Sequence, residues 1–414
     1  MNRNKRTKIL SILAALLLAG PALLQAYNGI SPWNHRSNPA YLGHSSRRYV
    51  EAAAGADLSF GNSVFSLGDI FSETILVDLD DIYDRTPDDG LRMVGNASLG
   101  AHITIHLGRL GLGVYADASN LSRLTVPRSF VRLLTQGNEL DRNYSGSAEL
   151  AQESFFEQGF YGSYRWRQYV IGAKVGAFAP VMYADSGSRA RYSFIAKEDG
   201  TVEGGITASG DIYTFFGEDG PQGTMGTNMS LGFSRLDDQG NPWFGAALVH
   251  IPLSPARPGY GASLSDLSFS FESEGILAAI EAGDDPFKTV EEEGDLDFDR
   301  LESGDQPEIH MPFRVSGYYR LSLPFVDLTP VAEVVFGDNS RLNAGATVEG
   351  NVFLLKMLSA SLGYRDYLWE AGAGLRIPLR AAELALHVRS SAPELEGVVD
   401  TRGMGMSILF AMGW

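Results

Sequence analysis

The chain has no cysteine among its 414 residues. That excludes a disulfide framework, a thiolate metal site and a lipid anchor on an N-terminal cysteine. Beyond the N-terminus no stretch approaches the roughly 20 consecutive apolar residues of a membrane-spanning helix, so any crossing of a bilayer has to be made by strands. Basic residues are scarce, with 33 Lys and Arg against 50 Asp and Glu, a formal charge of -17. Loss of residues 1–26 would remove four bases and no acids, taking the charge from -17 to -21. Such a chain repels a phosphate backbone, and nucleic acid is excluded as a partner. There is no nucleophile elbow, P-loop or zinc-protease helix motif, and no enzyme activity or cofactor is expected.

What the chain has is alternation. Met404, Met406, Ile408, Phe410, Met412 and Trp414 alternate with Gly405, Ser407, Leu409, Ala411 and Gly413 up to the last residue. Period-two patterning of this kind is a strand with one apolar face. An unpaired strand at the end of a soluble protein is an aggregation hazard, whereas a closed barrel pairs it with the first strand. With its terminal aromatic, the stretch holding Phe410, Met412 and Trp414 resembles the C-terminal targeting strand of bacterial outer-membrane proteins.

The N-terminus agrees. Arg3, Lys5, Arg6 and Lys8 precede an apolar run from Ile9 to Gly20, and Leu24-Gln25-Ala26 offers a cleavage site, so residues 1–26 read as a secretory signal peptide. Glycine (47), tyrosine (17) and phenylalanine (22) are abundant, while mean hydropathy is only -0.07. This suits a barrel, in which only alternate residues meet lipid.

Long alternating segments run through 91–107, 169–181, 313–323 and 367–379. They match the ~9–11 residues that cross a bilayer at a tilt, plus overhang. Thirteen further candidates lie at 50–61, 110–120, 153–166, 188–197, 203–216, 226–236, 241–252, 262–274, 328–337, 341–352, 355–365, 381–390 and the terminal strand. Bacterial single-chain barrels use even numbers of strands, so the 17 candidates reduce to an expected 14 to 16. The fold expected is an all-β transmembrane antiparallel barrel over 49–414, with short helical plug segments.

Three segments break the rhythm. Helices are expected within 66–88 and 128–139, and 275–305 is an acidic loop. Counting hairpins back from the C-terminus puts the acidic loop outside and the two helical inserts on the periplasmic or lumenal side. The same count gathers Pro180, Pro252, Pro324 and Pro378 at the C-terminal rim, where a missing ladder donor is tolerated.

Polar residues on the inward phase are candidates for the lumen: His102, His106, Lys174, Arg314, Arg320, Glu333, Glu370 and Arg376. His102 and His106 would form a metal pair on a helix, but on a strand they stand roughly 13 Å apart and line the lumen instead. The charged residues form a network of opposite signs, because buried charges need partners, Glu370 pairing with Arg376 or a cross-strand arginine. Asp295, Asp297 and Asp299 hint at calcium, but the loop lacks the glycine and spacing of a calcium-binding loop. It reads as solvated, with no metal site.

Before the first strand stands Trp33-Asn34-His35-Arg36-Ser37-Asn38-Pro39-Ala40, and later come Pro87-Asp88-Asp89-Gly90-Leu91-Arg92 and Gly95-Asn96-Ala97-Ser98-Leu99-Gly100. Asn38-Pro39-Ala40 resembles the N-terminal signature of FadL-type outer-membrane transporters and their relatives, which include PorV-like barrels. The later stretches resemble an uncharacterised branch of that group. The resemblance implies a hatch at 27–48 that folds inward, with Asn38, Pro39 and Ala40 as its matched residues, and a hydrophobic small molecule as cargo. The expected setting is the bacterial outer membrane after Sec-type export, with outer-membrane lipids and the barrel assembly machinery as partners and a monomer as the working form. The alternative implied is a scaffold or surface barrel without transport.

Overall fold

A computed structural model describes residues 37–44, 49–66, 68, 79–137, 139–184, 187–198, 201–238, 240–264, 268–273, 288–293, 298–302, 304–323, 326–350, 358–378 and 382–413. The signal peptide, Trp414, Pro324, most of the acidic loop and much of the first helical insert lie outside these residues.

Fourteen antiparallel strands close into a barrel. They are β1 (Val50–Asn62), β2 (Leu91–Leu107), β3 (Leu110–Val126), β4 (Asn143–Trp166), β5 (Tyr169–Ala184), β6 (Gly226–Leu236) and β7 (Pro242–Ser254). The circuit continues through β8 (Phe313–Tyr319), β9 (Val326–Phe336), β10 (Arg341–Gly350), β11 (Leu358–Arg365), β12 (Leu368–Pro378), β13 (Ala382–Ala392) and β14 (Gly403–Gly413). Each pairs with the next, and β14 returns to β1 with Phe410 opposite Ala54 and Met412 opposite Ala52. Closure leaves neither first nor last strand with an open edge.

Burial follows the two-residue period. In β14, Gly403, Gly405, Leu409, Ala411 and Gly413 are buried inside, while Met404, Met406, Ile408, Phe410 and Met412 are exposed outside. The same outward exposure runs around the wall at Leu58, Leu99, Ile103, Phe160, Ile171, Leu231, Leu248, Leu342, Leu362 and Val388. A continuous apolar belt of this extent has no place in water and suits a lipid-facing wall. Among the described residues no helix is long and apolar enough to cross a membrane, which leaves crossing by strands untouched.

The two rims differ. At the rim where the chain ends, β2–β3 and β4–β5 are joined by two-residue turns, with Gly108 (φ 65°) and Arg167 (φ 56°) in the left-handed region that tight hairpins require. The opposite rim carries the long connections. The upper part of β4, Asn143–Glu149, leaves the wall and pairs with Arg189–Ala196. That strand pairs with Val202–Ser209, which pairs with Ser268–Ser273, and Lys288–Glu293 completes a sheet standing on the loop rim. Helices α1 (Leu79–Arg85) and α2 (Arg128–Gln136) meet on the same rim, where the Arg128 guanidinium lies 4.6 Å from the Tyr83 ring centre. The short helix α3 (Leu395–Val399) joins β13 to β14 there too.

This layout corrects the hairpin count. Segments 188–197, 203–216 and 262–274 alternate like wall strands but belong to the loop rim, which takes 17 candidates to 14. Two of them lie between β5 and β6 and leave the direction of earlier strands unchanged. The third, between β7 and β8, reverses every strand before it when counted as wall. Pro180 and Pro252 therefore stand at the loop rim, and only Pro378 is at the C-terminal rim among the described prolines of that set. Likewise, the described residues of the inserts at 66–88 and 128–139 lie at the loop rim and not at the rim where the chain ends. Among the described residues, the helical segment inside the barrel is instead a 3-10 turn, Pro39–His44.

Candidate functional site: a plugged, charge-lined lumen

The Asn38–Pro39–Ala40 turn is docked against the inner wall. Ala40 N–H donates to Asn38 Oδ1 at 2.9 Å, which fixes the turn, and Asn38 Nδ2 donates to the carbonyls of Phe233 on β6 (3.1 Å) and Ala246 on β7 (3.3 Å). The side chain thus bridges two wall strands, and Asn38 is buried. The wall makes room by omitting side chains. A Cβ on Gly232 would lie 2.1 Å from Asn38 Oδ1, and one on Gly172 would lie 2.3 Å from the Pro39 carbonyl carbon. Those separations are far below van der Waals contact, so only glycine fits beneath the turn. Ala40 packs with Val170 and Leu236, and the Tyr41 ring lies 5.4 Å from that of Tyr318. Burial first, and then the Tyr318 phenol beside it, pushes the Tyr41 phenol up from its ordinary range.

Beside the turn lies a cavity of about 340 Å³, bounded by Ser37, Asn38 and Tyr41 and by the inner wall. Three charge networks border it. In the first, Lys174 on β5 pairs with Glu157 on β4 at 2.8 Å and with Asp117 on β3 at 3.7 Å, and its ammonium sits 4.0 Å from the Tyr115 ring centre. Tyr115 donates to Glu157 at 2.9 Å, and His250 Nε2 stands 3.6 Å from the same carboxylate. His250 reaches there because β7 kinks, with φ 57° at that residue.

In the second, Arg389 on β13 grips Asp57 on β1 with two hydrogen bonds of 2.6 and 3.0 Å, and Glu370 on β12 at 2.9 Å. Arg365 pairs with Asp57 at 3.0 Å and with Glu370 at 3.3 Å, completing a neutral set of four charges. In the third, Arg341 on β10 pairs with Asp366 (2.5 Å) and with Glu153 (3.6 Å), and Arg314 stands 3.8 Å from Glu333. Asn343 donates to Glu333 at 2.9 Å and to Asp366 at 3.4 Å. Asp366 lies in the two-residue turn between β11 and β12. Its burial alone would raise the carboxyl, but the charges of Arg341, Arg314 and Arg365 outweigh that and hold it below its ordinary range.

Of the residues singled out by inward phase, Lys174, Arg314, Glu333 and Glu370 border the cavity. Glu370 pairs with Arg389 and Arg365, not with Arg376, whose partner is Glu383 at 2.5 Å. Arg320 pairs with Asp327 near the turn rim. His102 is buried edge-on to Tyr161, with ring centres 6.0 Å apart, and His106 sits beside Gly111 on the same face of β2. Neither histidine borders the cavity. Asp57, Asn96, Asp117, Glu153, Glu157, Arg341, Arg365, Asp366, Arg389 and His250 border it without having been singled out. The polar phase of each strand would have found most of them; the turn residue Asp366 and the kinked His250 carry no such signal.

A closed antiparallel barrel with an apolar outer belt and an N-terminal turn docked inside defines the class: a plugged transmembrane β-barrel. Solved structures similar to this one include the Ralstonia pickettii toluene transporter TbuX, at 11% identity over 95% of this chain and 98% of that one, with a TM-score of 0.46. They also include the P. putida toluene transporter TodX, at 10% identity over 95% and 98% and a TM-score of 0.47. A Pseudomonas aeruginosa FadL homologue matches at 10% identity over 94% and 95%, with a TM-score of 0.43. This last is of the family that the N-terminal motif resembles. The class itself rests on the strand pairing and burial described above. No protein-family model matches the chain, and no curated protein matches it.

Proposed function

We propose that this chain is an outer-membrane barrel that binds a hydrophobic small molecule in its lumen and passes it when the Asn38–Pro39–Ala40 turn yields. In this reading residues 1–26 direct Sec-type export, the barrel assembly machinery reads the last strand, and the barrel works as a monomer in outer-membrane lipid. The turn at 38–40 is the hatch. One observation carries the reading: the turn is seated in a glycine notch and forms one side of the cavity. Tyr41, Leu121, Met311 and Tyr318 supply that cavity with apolar surface for a hydrophobic body.

The sheet on the loop rim favours a second reading, a scaffold that presents this sheet to a protein partner. Native mass spectrometry and organic extraction of the purified barrel separate the two. A trapped small hydrophobic molecule supports the transporter. An empty barrel that co-purifies with a protein in stoichiometric amount supports the scaffold.

A further inference from the structure

A second turn borders the cavity. Tyr364, Arg365 and Asp366, at the end of β11 and in the turn to β12, line it as Asn38 and Tyr41 do. The two turns stand toward opposite rims. The Asn38 turn rests on Phe233 and Gly172, each three residues from the strand end at the rim where the chain ends. The β11–β12 turn rests on Gly61, Val94 and Arg123, which lie within three residues of the loop-rim ends of β1, β2 and β3.

The tip of this hairpin has left the wall. β11 pairs with β10 as far as Tyr364, opposite Ala344. Beyond that point its contacts are with strands that are not its neighbours. Leu368 is fully buried in a cluster with Val94 of β2 and Leu121 of β3. A Cβ on Gly61 of β1 would lie 2.7 Å from Leu368 Cδ2, so this tip too is seated where the wall omits a side chain. The Arg123 guanidinium of β3 lies 4.6 Å from the Tyr367 ring centre. Along the wall, β13, β14 and β1 separate β12 from β2, so the tip reaches these partners across the lumen. From the β10 side Arg341 holds the Asp366 carboxylate at 2.5 Å, and Asn343 Oδ1 accepts from the Asp366 N–H at 2.9 Å.

The backbone is a separate observation. Asp366 (φ 50°) and Tyr367 (φ 69°) both occupy the left-handed region. A two-residue hairpin turn of this kind favours asparagine and glycine, and a tyrosine there is strained. Strain persists where the surroundings determine it, and it gathers at clamps and switches. Here the two side chains that strain the turn are the two that hold it, one to Arg341 and one beneath Arg123.

We propose that the β11–β12 turn is a second closure of the same cavity, on the loop-rim side. A molecule inside is held between two turns and passes only when each yields. This deepens the function proposed above and rests on its claim that the lumen passes a small molecule. Opening breaks the Arg341–Asp366 pair and uncovers Leu368, but it leaves the wall ladders intact through Tyr364–Ala344 and Trp369–Ala392.

The test reads ion current through single barrels in a planar bilayer bathed in potassium chloride. Leu368→Cys is combined with Val94→Cys or with Leu121→Cys, in a chain that has no other cysteine. Each pair is made with and without residues 27–45. Heat-dependent gel mobility checks folding, and mass spectrometry checks the disulfide. Failure of both pairs to form a disulfide overturns the docked tip. Current is expected only where residues 27–45 are absent and the disulfide is reduced, and oxidation should return it to the level of a bare bilayer. Tyr367→Gly suits the turn but gives up the Arg123 contact, and should raise the open fraction of the barrel lacking 27–45 severalfold. A folded Tyr367→Gly barrel with an unchanged open fraction overturns the second closure. Current that oxidation leaves unchanged also overturns it, and leaves the hatch standing. Current stopped by oxidation but equal with and without residues 27–45 supports this closure and overturns the hatch. No current in any folded barrel overturns both.

Discussion

Asn38 Oδ1 stands 2.1 Å from the position a Cβ would take on Gly232. Plug and wall are therefore made for each other at the level of a single missing methyl group. Gly232→Val should unseat the turn without disturbing the outer face of β6. Overpacking of this kind costs about 1–3 kcal/mol, which is roughly tenfold or more in the docked population. Because the chain has no cysteine, Ala40→Cys gives a clean reporter at a position fully buried in the docked turn. Thiol labelling of that cysteine should be faster by about that factor in the Gly232→Val background. Equal rates would mean that the notch does not hold the turn.

Lys174 is enclosed by Glu157, Asp117 and the Tyr115 ring. Lys174→Met leaves two buried carboxylates without their cation, at a cost of about 3–5 kcal/mol. The temperature at which the folded barrel loses its fast gel mobility should fall. Lys174→Met with Glu157→Leu should recover much of that loss, because the second change removes a stranded charge. A double variant less stable than the single one would contradict this account.

Arg389 on β13 reaches across β14 to Asp57 on β1, and it crosses where a Cβ on Gly405 would lie 2.5 Å from its Nε. The ion pair thus fastens the seam at which the barrel closes. Gly405→Val should push the guanidinium aside and lower the yield of closed, heat-modifiable barrel, while Ser407→Val, two residues along the same face, should do less. Equal yields would remove the seam from the argument.

The outward phase of β14 gives another expectation. Phe410 is exposed and Leu409 is buried. Phe410→Arg places a charge on the lipid face, at a cost of about 2–4 kcal/mol near the bilayer midplane. Recovery of the protein in the outer-membrane fraction should drop, and recovery unchanged from wild type would argue against a lipid-facing β14.

How much of this was legible from residues alone depended on the range of the interaction. The alternation in Leu91–Leu107 and Gly403–Gly413 is local, and the strands follow it closely. Whether a strand joins the wall is not local. Ser268–Ser273 alternates as wall strands do, yet its neighbours are the rim strands Val202–Ser209 and Lys288–Glu293. That one segment inverted the expected sidedness of Pro180, Pro252 and both helical inserts. The lumenal face of Lys174, Arg314, Glu333 and Glu370 was readable from strand phase, but their partners were not. Arg389 meets Asp57 across 332 residues of sequence. Asn38 was singled out by a three-residue motif, while the glycines that receive it look like any others in a chain with 47.

In the proposed function the N-terminal turn closes a lumen through which a small molecule passes. Uptake of a labelled hydrophobic probe into proteoliposomes tests it most directly, with the intact barrel compared to a variant lacking residues 27–45. Both proteins must show the same heat-dependent gel shift. Uptake should be faster once the turn is gone. Identical uptake by the two folded barrels would contradict it.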